Sequence, residues 1–344
     1  MLLILVSFNA GGISFGDSRN MWLLKSLPAN IPYANLLLLN VAQAIIAIFL
    51  ASDFLKRDKK LDTTETVYMR PVSNTEYVLG KTWGNLKVFV LLNLVVLLIA
   101  LIFNLSAGVG VDWSAYPIYF FLISIPTLVF IMGLAFLLMS ILKNQAITFV
   151  VLLGYIIGTL RFFQNKFYYL FDYMAFNIPL ARSQEVGFAN LQTVLTHRGI
   201  YLLLGIGFIF FTIFLLKRLP QSKKGTYVTL ILGVLFVLSA VWLGVGYVNN
   251  ILHNESQQKQ MIALNNQYVT APRLNVSKHH IQLKQLKNGY QAVSEIAGKP
   301  NKKGEILVFS LNSGLKVQEV IQNNKKLKFE RKKHLLLVHF PQLF

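Results

Sequence analysis

Histidine is the first residue type to test for chemistry, and the chain has six: His197, His253, His279, His280, His334 and His339. A zinc hydrolase needs H-E-x-x-H on a helix, which puts two imidazoles on one face with a carboxylate base between them. None of the six histidines makes that pattern. His279 and His280 are adjacent, and adjacent residues on a strand point to opposite faces, so they read as a solvated pair. Gly80-Lys81-Thr82 is the one fragment of a phosphate-binding loop. The full loop needs a second glycine five residues earlier, because backbone amides on a glycine-rich turn cradle the phosphates. Thr75 stands there, and the segment runs into an apolar stretch. Cysteine is absent, which removes thiol nucleophiles, disulfides and thiolate-held metals. No Ser/His/Asp or paired-carboxylate arrangement can be argued. The expectation is a chain with no catalytic residues, no metal site and no cofactor of its own.

The elements around these residues explain why chemistry is scarce. Of 344 residues, 54% are hydrophobic and only 14% charged, with a mean hydropathy of +0.53. Soluble domains carry about 25% charge. Crossing a bilayer takes roughly 20 apolar residues in a helix. Runs near that length occur at 34–52, 84–106, 117–142, 145–163, 199–216 and 226–248, and an incomplete seventh opens the chain at Met1–Phe8. That opening run reads as the tail of a further span, so that the sequence is expected to be a fragment. A signal peptide is the lesser alternative, since no Lys or Arg precedes it. No confident span carries Asp, Glu, Lys or Arg in its middle, which weighs against an ion-coupled carrier. The polar side chains inside the spans are mainly Asn40, Gln43, Asn93, Ser124, Thr127 and Thr148, expected to bond to neighbouring helices or to their own backbone. Pro126 is expected to kink the third span. Gly154-x-x-x-Gly158 permits close helix packing.

Loop charges set the orientation. Segment 53–87 holds Lys56, Arg57, Lys59, Lys60, Arg70, Lys81 and Lys87, and Lys143, Lys217, Arg218, Lys223 and Lys224 fall on the same side. That side is the cytoplasm. The aromatic segment 162–198 then lies outside, as a re-entrant or surface-lying pair of short helices. The final span runs outward, through a linker at 249–274, to a tail at 275–344. The stretch from 249 onward has fifteen Lys/Arg against five acids. Aromatics interleaved with those bases, or a groove-reading helix, are missing, which sets nucleic acid aside and leaves solvent or anionic lipid. Ile281–Leu283, Tyr290–Ile296, Glu305–Leu311, Lys316–Ile321 and His334–Phe340 read as strands, with turns at Asn288-Gly289 and Asn323-Asn324.

The stretch between the second and third runs is the most distinctive: Phe54-Leu-Lys-Arg57-Asp58, then Arg70-Pro71-Val-Ser73, then Tyr77-Val-Leu-Gly80-Lys81. It resembles the ABC-2 type permeases of ABC exporters over roughly residues 1–217. The resemblance implies a six-helix permease domain at 1–248 whose cytoplasmic coupling segment, 53–83, receives force from a separate ATPase that binds ATP-Mg. Arg57, Asp58, Arg70, Pro71, Tyr77, Gly80 and Lys81 would serve docking and helix geometry there. It further implies pairing with a second permease subunit, while a composition rich in asparagine and lysine and without cysteine suits a bacterial inner membrane. In the tail, Glu305-Ile-Leu-Val-Phe-Ser-Leu311-Asn-Ser-Gly314-Leu-Lys-Val317 is similar to the N-terminal β domain of aminopeptidase-N-like zinc metallopeptidases, which implies an incomplete permease/aminopeptidase fusion. The expected fold is therefore a polytopic α-helical membrane protein of six to seven spans with a small extracytoplasmic β domain. Two alternatives stay open: a membrane anchor for a zinc aminopeptidase, and a non-transporting scaffold presenting the β domain.

Overall fold

The computed structural model describes residues 28–52, 72–106, 108, 110–163, 166–178, 180, 182–183, 187–188, 190–216, 223–286 and 289–341. Among them, six helices are long and apolar enough to cross a membrane. They are α1 (Asn30–Ser52), α2 (Asn74–Ser106), α3 (Ala115–Leu142), α4 (Gln145–Phe163), α5 (Leu191–Leu215) and α6 (Lys223–Gln267). The seventh run, at Met1–Phe8, lies outside the described residues. The chain is a multi-pass membrane protein.

Each of the six full apolar runs falls, to within one residue, inside one of these helices, but several helices begin earlier or end later than the run itself. Helix α2 starts at Asn74, ten residues before the run at 84, because a capping box closes its first turn. The Ser73 backbone N–H donates to Glu76 Oε2 at 2.7 Å, and the Glu76 N–H donates to Ser73 Oγ at 3.1 Å. Its 33 residues reach about 50 Å, well beyond the roughly 30 Å of hydrocarbon. Helix α5 starts at Leu191 rather than 199, capturing His197 and Arg198. Helix α6 continues to Gln267, so most of the expected linker is helical.

Helix α3 is continuous but changes pitch. Residues Phe120–Ser124 form a π turn just ahead of Pro126, where the missing proline N–H would in any case interrupt the α ladder. Helix α3 packs most closely on α5, where Gly133 faces Gly205. A Cβ at Gly133 would collide with the Gly205 carbonyl, and one at Gly205 would sit 2.6 Å from Phe130 N. Backbones approach this closely in membranes only where both residues are small. A second small-residue contact joins α5 to α6, with Gly207 against Val237 and Gly233 against Phe211. Gly154 and Gly158 do not act this way within the chain. A Cβ at Gly154 would meet nothing within 4 Å, and one at Gly158 only Phe163, in the closing turn of its own helix.

Segment 162–198 departs from the expected pair of short helices. Between Phe163 and Leu191 the described residues form turns and a two-stranded ladder, β1 (Arg182–Ser183) with β2 (Gly187–Phe188). Phe167, Tyr168, Tyr169 and Ala175 adopt left-handed backbone conformations, which a helix cannot accommodate.

Residues 1–250 and 251–344 form two separate compact units. The second holds a long hairpin, β3 (Leu274–Leu286) with β4 (Gly289–Pro300), exposed along nearly its whole length. Leu286 pairs with Gly289, so the chain reverses where the Asn-Gly pair placed the turn. A three-stranded sheet in the order β5 (Ile306–Ser310), β9 (Leu335–His339), β8 (Lys328–Lys332) packs Val308, Leu335 and Leu337 with Leu264, Tyr268 and Ala271. The Asn323-Asn324 turn is present, with φ of 48° and 60°, between β6 (Ile321–Gln322) and β7 (Lys325–Lys326). The strand expected over Lys316–Ile321 is not: only Ile321 at its end is extended in a ladder.

Candidate functional site

Two groups of residues in the membrane unit could do work. The first is the start of α2. Arg57, Asp58, Arg70 and Pro71 lie outside the described residues. Tyr77, Gly80 and Lys81 fall on the first turns of α2 rather than in a loop. Tyr77 is half-buried against the core, and the Lys81 ammonium lies 5.4 Å from the centre of its ring. Gly80, Trp83, Gly84 and Lys87 are exposed at successive helical spacings, and the Lys87 ammonium covers the Trp83 ring at 5.5 Å. Asn74 Nδ2 donates to the Leu216 carbonyl at 2.5 Å, tying the start of α2 to the end of α5. This helix end exposes small, aromatic and basic groups, and it is bonded to a second span.

The second group is a polar network inside the bundle. Ser124 Oγ donates to Asn93 Oδ1 (2.6 Å), Asn93 Nδ2 to Gln43 Oε1 (2.8 Å), Gln43 Nε2 to Asn40 Oδ1 (2.8 Å) and Asn40 Nδ2 to Thr127 Oγ1 (3.0 Å). All five are fully buried. They link α1, α2 and α3 through groups that would each cost about 1–3 kcal/mol if left unpaired. Thr148 stands apart, bonded to the Asn144 carbonyl at 2.8 Å.

The network ends on Arg198, which the sequence did not single out. The apolar run at 199–216 stops one residue short of it. The signal that would have found it is the apolar spacing Leu191, Val194, Leu195, which carries the helix backward across Arg198. The view that no span holds an interior charge is therefore corrected: Arg198 sits two turns into α5 and is 2% exposed. Its Nε donates to the Leu122 carbonyl at 2.6 Å, and its Nη2 to the Ile123 carbonyl at 3.0 Å and to Thr127 Oγ1 at 2.7 Å. The chemistry of α3 explains these partners. Pro126 has no N–H, so the Leu122 carbonyl, four residues earlier, loses the donor an α-helix would supply. Arg198 replaces it.

The segment at 166–178 completes the site. Its carbonyls are gripped one after another by side chains of the bundle. The Tyr168 carbonyl accepts from Tyr247 OH at 2.9 Å and that of Tyr169 from His197 Nε2 at 3.0 Å, while Tyr201 OH bonds the Leu170 carbonyl. The Tyr173 carbonyl accepts from Thr127 Oγ1 at 2.9 Å and Arg198 Nη1 at 2.8 Å, and that of Met174 from Asn40 Nδ2 at 2.6 Å. A carbonyl only accepts, so Nε2 of His197 carries the proton. These bonds hold left-handed residues, each of which costs roughly 1–3 kcal/mol. The Tyr173 ring lies 5.3 Å from Phe130 and is stacked 5.3 Å from Tyr155, and its buried hydroxyl has no hydrogen-bond partner among the described residues. Beside it, burial pushes the Asp172 carboxyl above its ordinary range, opposed by the Asn177 and Phe176 amides and by Arg198.

No group of His, Cys, Asp or Glu able to hold a metal exists among the described residues. No curated protein and no solved structure matches the chain. A family model does, over a stretch that takes in α1 to α4 and residues 166–178. Residues 20–179, which include four of the six described spans, match the model of the ABC-2 family transporter proteins.

Proposed function

We propose that the chain is the membrane-spanning permease subunit of an ABC exporter, driven by a separate ATPase subunit. The match of residues 20–179 to the ABC-2 transporter family carries this reading. In it, two permease subunits line the path and the ATPase, which holds ATP-Mg, docks under residues 53–83. The start of α2 suits that role. It is longer than the bilayer requires, rigidly capped, and bonded through Asn74 to the end of α5. A push on the helix end is thus delivered to two spans. The mechanism is alternating access, which needs the nucleotide-bound and free ATPase to contact this end differently. In this reading residues 53–83 are cytoplasmic, which the excess of basic residues in that loop supports, and the β unit lies outside, in a bacterial inner membrane. The aminopeptidase-like reading of the tail gains less. Of the strands on which it rests, Ile306–Ser310 forms, and no strand follows until Ile321.

The test is affinity purification from native membranes in mild detergent, with wild type and an Arg70→Glu/Lys81→Glu variant. Recovery of an ATPase with wild type and its loss from the folded variant is the expected result. Failure to recover one with intact, monodisperse wild type overturns the exporter reading in favour of an anchored domain or scaffold.

A further inference from the structure

Residues 166–178 are held in the bundle by hydrogen bonds to their own backbone and by the burial of Tyr173, Met174, Ala175 and Ile178 in its apolar cores. Side chains from α1, α3, α5 and α6 bond the carbonyls of Tyr168, Tyr169, Leu170, Tyr173 and Met174, while the segment's left-handed residues and the Tyr173 hydroxyl, without a hydrogen-bond partner among the described residues, work against that position. Favourable and unfavourable contributions are concentrated in this one short segment, as they are in elements that switch between two positions. Its most heavily bonded carbonyl, that of Tyr173, shares Arg198 and Thr127 with the Pro126 interruption in α3.

We propose that segment 166–178 is a latch that closes the bundle, and that Arg198 is its positioning residue, joining the latch to the π turn of α3. Closed, the guanidinium spans the carbonyls of Leu122, Ile123 and Tyr173 at once. Separation of the segment from α3 breaks that bridge and takes Tyr173 and Met174, both fully buried, into water. Any rearrangement of α3 about its π turn moves two of the three carbonyls and so loosens the third. This deepens the permease reading and rests on it for one point only: that ATP turnover is what works the latch.

The absence of native cysteine makes the test direct. Met174→Cys is introduced into the full chain, and its reaction with a water-soluble maleimide is followed in freeze–thawed native membrane vesicles, where both faces are accessible. The thiol is expected to react slowly, and at least about tenfold faster when Arg198→Gln is added, since labelling follows the open population. Tyr201→Phe, which removes only the hydroxyl bonded to the Leu170 carbonyl, is expected to give a smaller rise, and Arg198→Lys an intermediate one. Lys143→Cys, at the other end of α3, serves as the control and is expected to react alike in all backgrounds. A thiol at 174 as slow in the monodisperse Arg198→Gln and Tyr201→Phe proteins as in their parent overturns the latch. Mg-ATP with orthovanadate is the second arm. A change in the rate at 174 in the Arg198 background supports the ATP-driven latch. If Arg198→Gln speeds labelling but nucleotide never alters it, the latch stands and its link to the permease reading falls.

Discussion

Arg198 makes four hydrogen bonds from one guanidinium, three of them to main-chain carbonyls on two different segments. Hydrogen bonds to charged groups contribute about 1.5–3 kcal/mol each, and stranded acceptors add to the loss. Arg198→Met is therefore expected to cost at least about 3 kcal/mol, read as a fall in melting temperature in detergent, whereas a surface change such as Lys143→Met should leave it in place. Arg198→Lys keeps the charge but cannot reach the same carbonyls with a planar fork, so it should recover only part of the loss. Asp172 gives a pH signature. Its carboxyl is raised by burial, so the folded state holds a proton that the unfolded chain releases near pH 4. Its contribution is full below that pH and is lost as pH rises through the raised value. Asp172→Asn should flatten this fall when melting is followed from pH 4 to 7, and an unchanged slope would remove Asp172 as its source. Much of the site was legible at this scale. Five of the six polar side chains picked out inside the spans join one network. Arg198 was not, because hydropathy alone ends a span at the first charge, whereas the helix continues wherever main-chain carbonyls can solvate that charge.

Among the helices, the ends carry information that apolar runs do not. The Ser73–Glu76 box extends α2 by ten residues beyond its apolar stretch, and the S-x-x-E spelling was present in the sequence to be read. Ser73→Ala should destabilise this end by about 0.5–2 kcal/mol, seen as faster amide exchange across residues 75–78 with the remaining helix unaffected. Helix contacts were harder to read. A Gly-x-x-x-Gly pair is visible at 154 and 158, yet the close approaches occur at Gly133 with Gly205 and Gly207 with Gly233, single glycines on different helices. Spacing within one helix cannot report which glycines on two helices will meet. Gly205→Leu is expected to overpack α3 against α5 and cost about 1–3 kcal/mol or more. Gly154→Leu should leave the thermal stability of the separated chain unchanged.

Across the whole molecule, the division at Asn250 follows the change from apolar to charged sequence, and it was legible for that reason. The finer make-up of the second unit was not: short strands such as β6 and β7 pair only because the Asn323-Asn324 turn brings them together. Removing residues 274–344 should leave the melting of the membrane unit unchanged, and a clear drop would show that the units depend on each other. The crossing of Gly133 and Gly205 has a further consequence for the membrane unit. With no side chain between the two backbones, α3 and α5 lie in direct main-chain contact there. Pro126 and Arg198 each lie seven residues from that crossing, about 10 Å along their helices. The glycine contact and the Arg198 bridge thus fasten α3 to α5 at two separate places.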